Sequence, residues 1–146
     1  MFWQNYLSQP CTTMEIEKKS VMPALKIRQL QYESNGWKRT LVFLTDENIH
    51  LKNRLSEILQ ENSGKDLLIN AENFQTSFLR QDALIGLLKN DVSQFDKLLV
   101  SELVADELFE ASVELFCQNI RIKINTVKKQ FDQLKLEFNE YLLENI

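Results

Sequence analysis

Glycine and proline are nearly missing from this chain. Three glycines (Gly36, Gly64, Gly86) and two prolines (Pro10, Pro23) occur in 146 residues, against average usage of about 7% and 5%. A many-turned β-sandwich or barrel lacks its turn residues here, and no two glycines lie close enough to cradle a phosphate. Cysteine is equally scarce. Cys11 and Cys117 have no paired spacing, which leaves neither a disulfide framework nor a structural zinc site to build. No apolar run approaches the ~20 residues of a membrane span, and the first twenty residues lack the basic and apolar regions of a secretion signal. A cytoplasmic, reducing location is the simplest expectation. Seventeen bases against 21 acids give a net charge of −4, the wrong sign for a dedicated nucleic-acid binder.

What the chain does have is periodicity. From Leu67 onward the apolar residues recur at alternating steps of four and three. Leu67, Ala71, Phe74, Phe78, Gln81, Ile85, Leu88, Val92, Phe95 and Leu99 form an a/d seam in which only Gln81 is polar. A helix carrying it is about 50 Å long. The same spacing runs upstream from Trp37 through Leu41, Leu44, Asn48, Leu51, Leu55 and Ile58 to Asn62. Downstream it runs from Ile120 through Ile124, Val127, Phe131, Leu134 and Phe138 to Tyr141. Further upstream, Phe109, Val113, Phe116 and Ile120 reach Ile124 only through a slip of four, a stutter. Leu68, Leu84 and Leu98 flank the middle seam and widen it beyond a two-stranded line, which favours a multi-helix bundle.

Asn62, Ser63 and Gly64 end the first long helix, with Gly64 in a left-handed cap, and Asp66 favours the next N-terminus. The second break falls near Val100 to Asp106, with Ser101 as an N-cap. The expected fold class is all-α: an antiparallel bundle of three long helices at about 37–62, 66–99 and 103–145, with coiled-coil-like packing. Residues 1–36 form an N-terminal arm or fourth short helix, interrupted at Pro23, and residues 37–146 form the bundle. Folding about residues 63 and 101 sets Glu47 near Arg80, Arg54 near Glu72, and Asp82 near Arg121 and Lys123. It also sets Phe74 against Phe131 and Phe95 against Phe109. With its first helix the shortest, such a bundle leaves apolar surface uncovered, which a homodimer would cover.

Candidate chemistry is sparse. Glu47-Asn48-Ile49-His50 has the E-x-x-H spacing of di-metal bundles, but His50 is the one histidine and falls on the solvent side of the seam. No metal and no cofactor are expected. A cysteine or serine nucleophile would need that same histidine held by a third group, so enzymatic activity is not expected either. An exposed histidine on a bundle helix is what a phosphorelay module presents, with Lys52 and Arg54 nearby, and this makes His50 the alternative phosphoacceptor. Arg121, Lys123, Lys128 and Lys129 form a basic cluster, three of whose members are read as flanks facing acids of the middle helix. Asn48, Asn62 and Gln81 are polar residues on the seams and set register, because an unpaired amide in a core costs more than a paired one. Phe2, Trp3, Tyr6 and Trp37 are candidate contacts with a partner or second copy. The function expected is a non-enzymatic interaction, scaffolding or regulatory module. Its partner is itself, as a homodimer, or another helical protein, with no nucleic acid and no membrane.

Overall fold

Pro23 begins the first helix rather than interrupting it. In the computed structural model, which describes residues 22–62, 64–101 and 107–145, Pro23 is the N-cap and its carbonyl accepts from the amide of Ile27 at 3.1 Å. Proline suits a helix start, because its missing N–H has no intrahelical partner there. Three helices follow: α1 (Ala24–Glu61), α2 (Lys65–Leu99) and α3 (Glu107–Asn145). No strand occurs among the described residues.

The four-three spacing correctly places all three helices, and two details of its reading change. First, α1 starts thirteen residues earlier than Trp37. Ser34-Asn35-Gly36 looks like a break but lies inside the helix, because Ser34 is fully buried and donates to Asp96 on α2 at 2.5 Å. Leu30 and Ser34 simply extend the seam by one heptad. The helices therefore have 38, 35 and 39 residues, and no short first helix leaves a core uncovered. Second, α3 has no stutter. Its buried residues are Val113, Cys117, Ile120, Ile124, Val127, Phe131, Leu134 and Phe138, an unbroken alternation once Cys117 takes the place given to Phe116. A thiol packs as a small hydrophobe.

Both connections reverse the chain. At the first, Asn62 is the C-cap of α1 and Gly64 the N-cap of α2. Gly64 has φ −65° and ψ 141°, so the expected left-handed cap is absent and the turn places no special demand on glycine. Asp66 lies in the first turn of α2, where the helix dipole favours an acid. At the second, α2 ends at Leu99 and α3 is described from Glu107, and the expected N-cap at Ser101 adjoins residues 102–106, outside the described ones. The α2–α3 register differs from the expected one by one heptad. Phe74 meets Phe138 at 5.1 Å between ring centroids, not Phe131, and Phe95 meets Phe116 at 5.7 Å, not Phe109. Phe138 also packs edge-on against Phe78 at 5.2 Å. Phe78, Phe95, Phe131 and Phe138 are each at most 1% exposed, and fully burying such a ring contributes about 1.5–3 kcal/mol.

The charged pairs are also redistributed. Asp82 bonds to Lys52 and Asn48 of α1 rather than to Arg121 or Lys123. Glu47 bonds to Lys135 of α3 rather than Arg80, and Arg54 to Glu57 in its own helix rather than Glu72. Spacing identifies flanking positions, but in a three-helix bundle it does not say which neighbour each flank faces.

Candidate interaction surface

Two matching polar clamps tie α1 to α2. In one, Asp96 accepts from Ser34 and pairs with Lys38. In the other, Asp82 accepts from Asn48 Nδ2 at 2.7 Å and pairs with Lys52 at 2.5 Å. Each clamp combines a buried polar residue on the seam, a lysine four positions later on the same face, and one aspartate opposite. Asn48 Nδ2 also donates to the carbonyl of Phe78 at 2.9 Å. Asn48 thus bonds at the level of α2 occupied by Gln81, and both are buried. Asn48 Oδ1, Gln81 Oε1 and Tyr141 OH are buried without a partner. Asn62 is exposed, and its amide donates to the carbonyl of Ile58. It caps α1 and takes no place in the core.

A second set joins α1 to α3, which run parallel. Glu33 accepts from Arg121 Nε and Nη2 at 2.5 and 2.7 Å. Lys26 pairs with Glu114, and Glu47 with Lys135. The hydrogen bonds from Arg121, opposed in part by burial, hold the Glu33 carboxyl below the usual glutamate range. The bond from Lys135 does the same for Glu47, with His50 adding a small electrostatic share. Arg121 is held protonated even more firmly than an ordinary arginine, chiefly by its bonds to Glu33. Cys117 lies beneath this pair, its Sγ 3.7 Å from Glu33 Oε1. Burial first, and the Glu33 charge second, push the thiol up to about 11. A thiol of that kind is neutral and unreactive at physiological pH.

The remaining candidates separate clearly. Trp37 is spent in the core, 7% exposed and edge-on to Phe95 at 5.3 Å, and is not a contact for a partner. Phe2, Trp3, Tyr6 and Cys11 lie outside the described residues. His50 is exposed, as its heptad position implies. Lys52 is turned to Asp82 and Arg54 to Glu57. Of the basic cluster, Arg121 answers to Glu33 on α1 and Lys123 to Asp91 on α2, so among the described residues only Lys123 pairs with an acid of the middle helix as expected. Among the described residues no group of three or more metal-ligating side chains gathers. No helix of the described residues is long and apolar enough to cross a membrane.

What spacing did not single out is the groove between α2 and α3. Leu84, Leu87 and Leu88 line it from one helix, Ile122, Thr126 and Val127 from the other, and it holds about 290 Å³. Leu87 and Ile122 are each 65% exposed. The Asp91 and Lys123 pair closes one end. At the other end the groove runs on past Leu84 and Gln130 to Arg80, Lys129 and Glu137. The signal for it lay in the flanking positions: Leu84 and Leu87 make a second apolar line on α2, outside the a/d seam. Compared with known proteins, the chain matches no family model, no curated protein and no solved structure.

Proposed function

We propose that the chain is a non-enzymatic interaction module of the cytoplasm. Its charged clamps hold three helices in register, and the surface of α2 and α3 receives a further helix from a second copy or another helical protein. One observation carries this reading: Leu87 and Ile122, each 65% exposed, stand side by side in a groove with charged residues at its ends. Exposed leucine and isoleucine brought together across two helices, with a polar rim, are the usual mark of a helix-docking surface. Among the described residues nothing supplies a nucleophile with a base, since Cys117 is neutral and buried and His50 stands apart from it on the exposed side of α1.

Site-specific photocrosslinking from position 87 in intact cells tests this. A crosslink to a second copy or to one defined helical protein, lost when Ile122→Glu is added, is the expected result. If position 87 captures nothing while helicity is intact, the module reading fails.

A further inference from the structure

The outward side of α2 carries a charge-free line. Thr76, Leu79, Ala83, Gly86, Leu87 and Asn90 are all exposed on it, with Leu79 and Leu87 53% and 65% exposed. Thr76, Leu79, Ala83, Gly86 and Asn90 repeat at steps of three and four, with Leu87 beside them, on the face turned away from the core seam. Gly86 is the unexpected member. It sits in the middle of a 35-residue helix, has no positive φ, and a Cβ there would meet nothing within 4 Å. Among the described residues nothing requires glycine at this position, although it weakens a helix. A missing side chain at an exposed helical position is useful when another backbone approaches closely.

The charges bordering this line are arranged in a self-complementary way. Arg80 and Asp91 border it on the α3 side, where Arg80 lines the groove with Lys129 and Asp91 bonds to Lys123. Asp82 and Lys89 border it on the α1 side, where Asp82 bonds to Lys52 and Lys89 lines a groove with Lys38 and Val42. Arg80 and Asp91 are equidistant from the midpoint between Ile85 and Gly86. So are Asp82 and Lys89, and so are Leu84 and Leu87. Among the described residues, neither the Arg80 nor the Lys89 side chain takes part in a hydrogen bond or ion pair.

We infer that a second copy of this chain docks on α2 in antiparallel orientation, about a twofold axis passing beside Gly86. A twofold axis across the helix brings each flank onto the same flank of the partner copy, at mirrored height. Arg80 of one copy then faces Asp91 of the other, and Asp82 faces Lys89, so four opposite-charge contacts enclose the uncharged line. Gly86 meets its own counterpart at the axis, where the two backbones come closest. Parallel pairing instead joins flanking residues five positions apart across the helices. Arg80 then meets Gln75, Lys89 meets Gln94, and no opposite charges are brought together.

This inference rests on the reading of the chain as an interaction module, and its test is separable from that reading. Light scattering on the full chain at about 100 µM, well above the micromolar dissociation constant fitting a small single-helix contact, should give twice the 17.2 kDa chain mass. Arg80→Asp alone and Asp91→Arg alone should each give the monomer mass, and the two combined should restore the dimer. Gly86→Leu should raise the thermal midpoint and abolish the dimer together, a combination that simple damage to the fold does not produce. With Cys11 replaced by serine, Thr76→Cys and Gln94→Cys should form a disulfide with each other when mixed and not with themselves. A monomeric wild type, a dimer indifferent to both charge reversals, or self-linking Thr76→Cys overturns the inference. If the wild type is monomeric while position 87 still captures another helical protein in cells, self-pairing falls and the module reading stands.

Discussion

Glu33 and Arg121 lie 88 positions apart in the chain and share two hydrogen bonds between parallel helices. The same offset joins Lys26 to Glu114 and Glu47 to Lys135. The three pairs form a ladder whose rungs are heptads, with one rung missing. Its place is taken by Thr40 and Lys128, of which Lys128 has no ion-pair partner among the described residues.

The ladder makes stability depend on acid. Glu33 is lowered from its ordinary 4.5 in the folded state, so its contribution is complete above that value and is lost as pH falls through the lowered one. Glu33→Gln should cost about 1 kcal/mol at neutral pH, the upper range for a half-exposed pair. The difference from wild type should vanish in urea titrations at acid pH. Cys117 acts at the other extreme. Between 9.0 and about 11 the folded state keeps a proton that the unfolded thiol gives up, so stability should decline as pH rises across that window. Alkylation of Cys117 in the native protein should stay slow at neutral pH, and a rapid reaction there would contradict its burial.

Filling the missing rung should stabilise the bundle. Thr40→Glu places a carboxylate opposite Lys128 and should gain about 0.5 kcal/mol, while Thr40→Gln, which shares its improved helix propensity, gains less. Thermal midpoints at low and high salt separate the two contributions. The advantage of Glu over Gln should shrink with salt.

The two buried amides of the seam should respond in opposite directions to the same substitution. Asn48→Leu removes bonds to Phe78 and Asp82 and should cost about 1–2 kcal/mol. Gln81 buries an oxygen that has no partner, so Gln81→Leu should be neutral or stabilising by about 1 kcal/mol. Denaturant titration of the two single variants checks this.

Register between α2 and α3 can be read from ring coupling. Phe138→Ala should cost about 3–5 kcal/mol, since the ring is fully buried against Phe74 and Phe78. A double-mutant cycle should give about 0.5–1.5 kcal/mol of coupling for Phe74 with Phe138. Coupling of Phe74 with Phe131 should be near zero. The reverse pattern would falsify the one-heptad shift described above.

The amino-acid sequence by itself determined that the chain makes three long helices and which stripe of each is buried. The four-three alternation is a local property, and any apolar line of that spacing seeks cover whatever its partner. It also determined that Gln81 and Asn48 enter the core and that His50 does not, because heptad position follows from the same count. Misread locally were Ser34-Asn35-Gly36, which carry turn composition inside a helix, and Cys117, passed over in favour of the larger Phe116. At Ser34 a contact with the distant Asp96 accompanies burial, whereas Cys117 falls on the local four-three alternation of α3 that a small residue leaves hard to see.

Only the tertiary structure decided which flank faces which neighbour, and by how many residues the second hairpin is offset. Those depend on how far one helix slides along the next and on the choice between two adjacent helices, neither of which leaves a periodic trace. The exposed side of α2 belongs to the same category. Its uncharged residues could have been covered by α1 or α3, and only the packing of the three helices leaves them turned outward.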